Sequence, residues 1–176
     1  QMAIIVLFGS AYLAILPAWA VEVLHGDAST NARLQTARGM GALFAALWIS
    51  SQAIIMKRGW LILISSFAMS FIVILYSFMN IESIALLLLL LHGISFIFVA
   101  NIINVIMQTH TEDWFRGRAM GIYSFTIFGL MPLASLWIGF AAEHFGIQIA
   151  VLISGIVSLG LNAFVLMCFP KILAVD

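Results

Sequence analysis

Six runs of about twenty apolar residues, separated by short polar segments, fill almost all of this 176-residue chain. A helix of that length rises about 30 Å, which is the hydrocarbon thickness of a bilayer. The runs are apolar on every face, whereas a helix at the surface of a soluble protein keeps a polar face toward water. The sequence therefore predicts an all-α membrane protein whose helices cross a lipid bilayer.

The predicted transmembrane helices form a single domain over residues 1–176. They occupy residues 2–23, 34–56, 60–78, 84–107, 119–142 and 147–169. The first run is interpreted as a transmembrane helix rather than a signal peptide, because it is too long for a signal core and no basic residue precedes it. The chain begins with Gln1 rather than Met, which suggests a piece of a longer protein.

The basic residues predict the orientation of the bundle, because cytoplasmic loops carry an excess of Lys and Arg. One side of the membrane has five of them: Lys57, Arg58, Arg116, Arg118 and Lys171. The other side has Arg33 and Arg38. This bias predicts that both termini lie in the cytoplasm.

Composition excludes several classes of function. The chain is 64% hydrophobic and 8% charged with zero formal net charge, so it lacks the concentrated basic surface of a nucleic-acid-binding protein. Cys168 is the single cysteine, which rules out an internal disulfide and a multi-cysteine metal site. The spacing of residues shows no metal-ligand cluster, phosphate-binding glycine loop or catalytic triad. We expect no enzyme activity, no cofactor and no bound metal.

Small residues four apart on helices 2 and 5 predict close helix packing, since lipid provides little other reason for helices to associate. The candidate packing and hinge residues are small or break helices: Gly41, Ala45, Gly129, Pro132, Ser135 and Gly139. Two interpretations are open. These residues either pack within the bundle, or allow helices 2 and 5 to slide against a second domain.

Polar side chains inside helix 4 predict a wet or hydrogen-bonded face, since polar groups are costly in lipid. Asn101, Asn104 and Gln108 follow at intervals of three and four, which places them on one side of the helix. They either line a substrate path near its cytoplasmic end or bond a neighbouring helix. A weaker stripe on helix 6, at Ser154, Ser158 and Asn162, is interpreted as structural.

Two further residues within the predicted spans carry a charge or titrate. Arg38 lies about one turn, or roughly 6 Å, inside the outer end of helix 2, so we expect it to extend toward the headgroups. His92 is a candidate proton carrier, and the simpler alternative is a histidine hydrogen-bonded within the bundle. No Asp or Glu lies deep in a predicted span, so the chain lacks the buried carboxylate that proton coupling often uses.

The segment between helices 4 and 5 concentrates charge. Glu112 and Asp113 lie three to six residues before Arg116 and Arg118, which is close enough for pairing. We predict that these four residues act as a cytoplasmic gate or anchor.

Residues 109–146 carry the most specific motifs of the chain. An Arg-Gly-Arg-x-Met-x-x-Tyr element occupies residues 116–123, and a Gly-x-x-Pro-x-x-Ser element occupies residues 129–135. An Ala-Ala-Glu turn with a glycine follows at residues 141–146. This segment resembles the joint between the tenth and eleventh helices, and the eleventh helix, of the major facilitator superfamily, in the branch of enterobactin-exporter-like and macrolide-efflux-like permeases. The opening segment, with Tyr12 and Pro17, is similar to the seventh helix of that branch.

The resemblance implies the C-terminal half of a twelve-helix permease in a bacterial inner membrane, built from two inverted three-helix repeats. Substrate would bind between the halves, with helices 1 and 4 lining the path and Tyr12 among the lining residues. Helices 2 and 5 would flank the path, and helices 3 and 6 would be peripheral. One departure concerns residues 56–59, Met-Lys-Arg-Gly, which lack the acidic residue of the superfamily's motif at that place.

Three functions remain open from the sequence. The first is half of a secondary exporter of amphipathic, drug-like or siderophore-like small molecules, which would need an N-terminal six-helix half. The second is a half-size carrier that acts with a second copy of itself. The third is a non-transporting membrane subunit that stabilises a larger assembly.

Overall fold

The chain forms a bundle of helices. The computed structural model describes residues 1–51 and 58–169, and within these residues there are six helices and no β-strand. We name the helices α1 to α6 in chain order: Met2–Glu22, Ala28–Ser51, Arg58–Tyr76, Glu82–His110, Asp113–Phe145 and Ile147–Cys168. The predicted all-helical architecture is confirmed, and the inverted-repeat symmetry stays a prediction.

Five of these helices are long and apolar enough to cross a membrane, namely α1, α3, α4, α5 and α6. The described part of α2 does not reach that standard, because Arg33, Gln35 and Arg38 lie in its first half. The last part of the second predicted span, residues 52–56, lies outside the described residues. Lys57 and Lys171, which contributed to the predicted orientation, lie outside them as well.

Helix α2 begins at Ala28, six residues before its predicted start at position 34. Asp27 explains this start, because its Oδ1 accepts hydrogen bonds from the backbone N–H groups of Ser29 at 2.9 Å and Thr30 at 3.1 Å. The hydrogen bonds from Ser29 and Thr30 hold the pKa of the Asp27 carboxyl below its usual value. The cap is therefore present at neutral pH and weakens as the pH falls through that lowered pKa.

Helices α2 and α4 approach each other at backbone distance. A Cβ atom added to Gly41 would come well inside 3.0 Å of the Leu90 carbonyl oxygen, and one added to Gly93 would do the same to the Arg38 carbonyl oxygen. At one end of this pair, Arg33 Nε donates to Glu82 Oε1 at 2.6 Å. The Gly41 region is thus filled by α4 of the same chain.

Helix α3 packs against α1, α4 and α6, and its most apolar segment is 56% buried, the largest share among the five candidate spans. Its burial is against helices of the same chain, and the expected position of this helix at the periphery of the substrate path stays a prediction. Buried polar groups join α3 to α6: Ser70 Oγ lies 2.8 Å from Ser158 Oγ and accepts a 3.1 Å hydrogen bond from Asn162 Nδ2. The structural interpretation of the polar stripe on α6 is confirmed.

Helices α1 and α5 are both irregular near a proline. In α1, a π-helical turn at Ile5–Gly9 and a 3₁₀ turn at Ala11–Ile15 precede Pro17. In α5, a π-helical turn at Phe125–Gly129 precedes Pro132. Proline has no N–H to donate and its ring crowds the carbonyl four residues earlier, so it kinks or breaks a helix on its N-terminal side, and both prolines lie at the start of a regular α-helical segment.

Candidate functional site

A cavity of about 290 Å³ opens beside the irregular parts of α1 and α5. Its lining residues come from α1, α2, α4 and α5, and among the described residues α3 and α6 contribute none. Most of the wall is apolar, and four lining residues bring polar groups: Ser10, Gln35, Arg38 and Ser135. A mostly apolar concave site with a few polar groups is typical of small-molecule binding.

The cavity lies at the middle depth of the bundle. Ser10 is near the midpoint of α1, Phe96 is near the midpoint of α4, and Met131 is near the midpoint of α5. All three line the cavity together with Arg38. The guanidinium of Arg38 lies over the Phe96 ring, with its Cζ atom 5.4 Å from the ring centroid.

The position of Arg38 differs from the sequence expectation. The early start of α2 places this residue ten positions, roughly 15 Å, into the helix instead of one turn. Arg38 lines the cavity together with residues near the midpoints of α1, α4 and α5. Its side chain therefore faces the cavity instead of the headgroups. The sequence signal that was missed is Asp27, whose capping role moves the start of α2 outward.

Three carbonyl groups at the break in α1 accept hydrogen bonds from side chains of three other helices. His92 Nε2 donates to the Gly9 carbonyl at 3.0 Å, Trp137 Nε1 donates to the Leu7 carbonyl at 2.6 Å, and Ser154 Oγ donates to the Phe8 carbonyl. We call His92, Trp137 and Ser154 the carbonyl clamp. Unpaired carbonyls are costly inside a membrane, so the clamp allows α1 to be irregular there.

The full length of the chain, residues 1–176, matches the profile of one known family, the transmembrane secretion effectors of the major facilitator superfamily. The chain belongs to the transmembrane secretion effector family. No curated protein and no solved structure gives a significant match. The superfamily resemblance is thereby confirmed, and the assignment to the C-terminal half and to one branch stays a prediction. This family consists of transporters, so the chain is not an enzyme.

Tyr12 does not line the cavity of this secretion effector. Its side chain is 2% exposed, and its ring lies 5.4 Å from the Tyr76 ring and 5.2 Å from the His92 ring, centroid to centroid. The neighbouring residues Ala11 and Leu13 reach the cavity instead. The irregular turns of α1 decide which of these residues face inward, and the resemblance did not predict them.

His92 is fully buried and donates to the Gly9 carbonyl, as the simpler of its two interpretations expected. Because a carbonyl only accepts, the ring proton lies on Nε2. The imidazole does not belong to the cavity lining. A proton-carrying role for His92 stays a prediction.

The described residues contain no group of three His, Cys, Asp or Glu side chains that could hold a metal ion.

The amides of the α4 stripe lie toward the C-terminal end of that helix, outside the cavity lining. Gln108 Nε2 donates to Asn104 Oδ1 at 2.5 Å, and the hydroxyl of Tyr123 on α5 donates to the Ala100 carbonyl of α4 at 2.8 Å. Asn101 and Gln108 are exposed on the surface of the chain. The structure therefore pairs Asn104 with Gln108 within α4, while a path-lining role for the stripe stays a prediction.

The four predicted gate residues lie together at the start of α5, and all are exposed. Arg116 Nη2 pairs with Asp113 Oδ1 at 2.7 Å. Glu112 instead accepts a 2.6 Å hydrogen bond from Trp114 Nε1. Arg118 stacks on the Phe115 ring, with its Cζ atom 5.5 Å from the ring centroid.

The predicted packing and hinge residues separate into three groups. Gly41 and Ala45 are buried, with Gly41 directly against α4, so they hold the bundle together. Gly129 and Pro132 belong to the irregular part of α5. Ser135 lines the cavity, whereas a Cβ added to Gly139 would meet no described atom within 4 Å.

Lysine substitutions distinguish a gate from a simple membrane anchor. Lysine can replace Arg116 in its single contact with Asp113, but it lacks the planar guanidinium that Arg118 stacks on Phe115. We therefore expect Arg118→Lys to reduce transport more than Arg116→Lys, with equal amounts of each variant in the membrane. Substrate efflux normalised to the amount of inserted protein measures this. Unchanged transport in both variants would leave anchoring as the one role of these arginines.

Proposed function

We propose that this chain is the C-terminal half of a secondary active exporter that moves amphipathic small molecules by alternating access. The observation that carries the proposal is the cavity at mid-depth, lined by α1, α2, α4 and α5, in a member of a secretion transporter family. An apolar wall with a few polar groups suits a cargo that is itself amphipathic. Binding at the membrane midplane is the usual location in secondary transporters.

The exposed apolar surface of α5 supports a partner half. The most apolar segment of this helix is 17% buried, the smallest share among the five candidate spans. Alternating access requires two bodies that rock about the substrate, and α5 with α2 would meet the second body. In this proposal the partner is an N-terminal six-helix half or a second copy of the chain, and both termini lie in the cytoplasm of a bacterial inner membrane.

In this proposal the predicted path and gate residues act at the cytoplasmic end of the substrate path. Asn101, Asn104 and Gln108 would line the cytoplasmic end of the path, where their amides can hydrogen-bond cargo or water. The charged segment from Glu112 to Arg118 would close that end when the cavity opens outward. Because Asp113 and Arg116 are exposed, their pair is worth only about 0–1 kcal/mol, which still shifts an equilibrium between two states by up to several-fold.

Thiol labelling of adjacent residues tests whether the cavity belongs to an aqueous path. In a Cys168→Ser background, we expect Ser135→Cys to react with a charged maleimide, because Ser135 lines the cavity. Leu136→Cys is the matched control. Leu136 is the next residue along α5, but it is 71% exposed and lines an apolar groove on a different side of the helix. We expect this control to stay unlabelled in lipid.

Two results would contradict the proposed function. One is equal labelling of the two cysteines. The other is labelling of Ser135→Cys that proceeds at the same rate from both sides of the membrane and does not change with conditions that drive transport. A rate that changes from one side to the other during transport supports alternating access.

A further inference from the structure

Arg38 brings a positive charge to the middle of the bundle, and no carboxylate of the described residues pairs with it. Each acidic residue of the described chain lies at a helix end or in a connecting segment: Glu22, Asp27, Glu82, Glu112, Asp113 and Glu143. The carboxylates of Glu82 and Asp113 pair with Arg33 and Arg116, and none of these four residues lines the cavity. A cation at mid-membrane that lacks a counter-ion is costly, and such residues are usually retained for binding or transport.

The immediate surroundings of Arg38 compensate its charge only in part. The face of Phe96 attracts the guanidinium, but an aromatic ring carries no full negative charge and accepts no bidentate hydrogen bonds. The Nε atom is buried, and no described residue accepts a hydrogen bond from it. The hydroxyl oxygen of Ser10, in the wall of the same cavity, is likewise buried and unpartnered. Two unused donors therefore belong to one concave surface.

These donors match an anionic group. A guanidinium presents N–H groups in a plane that fits the two oxygens of a carboxylate or sulfonate, and a hydroxyl supplies a further donor. Gln35, one turn before Arg38 on α2, also lines the cavity and adds an amide. The rest of the wall, including Val6, Phe96 and Ile127, is apolar.

We propose that Arg38 and Ser10 form a binding site for the anionic group of an amphipathic substrate, whose apolar body contacts the remaining cavity wall. This inference rests on the proposed transport function, and it specifies the charge of the cargo. The bound anion neutralises Arg38 while the substrate occupies the cavity. Release of the anion exposes the charge again, which favours rebinding of an anion or entry of water before the cavity closes.

A pair of probes with the same shape tests the charge preference directly. The protein in lipid nanodiscs is titrated calorimetrically with 4-hexylbenzoate and with neutral 4-hexylbenzamide, and empty nanodiscs correct for partitioning into lipid. We expect the benzoate to bind at least about tenfold more tightly, since hydrogen bonds to charged groups are worth about 1.5–3 kcal/mol. Arg38→Gln should abolish this ratio, and Arg38→Lys should retain part of it.

The matched control is Arg58→Gln, which removes the same charge at the start of α3, outside the cavity lining. It should keep the wild-type ratio of the two affinities. Binding of the benzamide to Arg38→Gln with unchanged affinity shows that this variant is folded. If Arg38→Gln does not fold, the Arg38→Lys variant carries the comparison.

The outcomes separate this inference from the proposed function. Equal affinities for the two probes in the wild type overturn the anion site, and this is the result expected if a carboxylate of an associated chain already pairs with Arg38. Protection of Ser135→Cys from the maleimide by the benzamide would still support the cavity in that case. If neither probe binds or protects Ser135→Cys, both the anion site and the proposed function fail.

Discussion

Replacing Gly93 by alanine is expected to separate α2 from α4 and to lower the free energy of unfolding by about 3 kcal/mol or more. The new Cβ atom would overlap the Arg38 carbonyl oxygen and lie 3.0 Å from the Ala42 nitrogen. Both neighbours are backbone atoms, so no side chain can rotate away. The two helices must therefore move apart along their whole contact. Gly41→Ala is expected to act in the same way through the Leu90 carbonyl oxygen.

Gly139→Ala is the matched control for both variants. It makes the same substitution within a helix, at a position where no described atom lies within 4 Å of the new Cβ. Alanine favours a helix over glycine by about 0.5–1 kcal/mol, so this variant should be neutral or slightly more stable. Thermal unfolding in detergent and the yield of monodisperse protein measure the difference. Equal stability of the Gly93 and Gly139 variants would show that α2 and α4 are not in backbone contact.

His92→Leu is expected to destabilise the bundle by about 1–3 kcal/mol, because the Gly9 carbonyl then remains buried without a donor. Loss of the edge-on contact with the Tyr12 ring adds to this effect. The irregular segment of α1 should also open more readily. We therefore expect faster amide hydrogen exchange between residues 9 and 15, together with a lower unfolding temperature.

His144→Leu provides the control for His92→Leu. This histidine also contacts a backbone carbonyl, that of Phe140 at 2.9 Å, but it is exposed near the end of α5. Water replaces its hydrogen bond, so its loss should change stability by less than about 0.5 kcal/mol. His92→Gln should recover part of the stability if a donor is what matters. A His92→Leu protein as stable as His144→Leu would contradict the carbonyl clamp.

The helices themselves followed from the sequence. An apolar run of about twenty residues has few alternatives to a membrane-spanning helix, because each backbone group must be bonded within its own segment. The structural role of Ser158 and Asn162 and the pairing of Asp113 with Arg116 were also predictable, since a spacing of three or four along a helix places side chains on one face.

The sequence offered the least guidance on where helices begin and on which way side chains face in segments that are not regular α-helix. A start at Ala28 in place of position 34 was sufficient to move Arg38 from the membrane edge to the middle of the bundle. Tyr12, expected in the substrate path, lies in the core beside the irregular turn of α1, and a role for it in the path stays a prediction. The 3.6-residue period of an α-helix does not predict which side chains face inward in a segment that is not α-helical.

The sequence by itself determined the membrane environment, the number of helices and the transporter family, because these depend on local apolar length and on motifs along the chain. Tertiary structure decided which residues meet. The carbonyl clamp joins positions 83, 130 and 146 residues apart, and the contact of Gly93 with Arg38 brings α4 against α2. Such contacts depend on how the helices are rotated and how far they slide along one another. Apolar runs in lipid leave both of these open until the side chains pack.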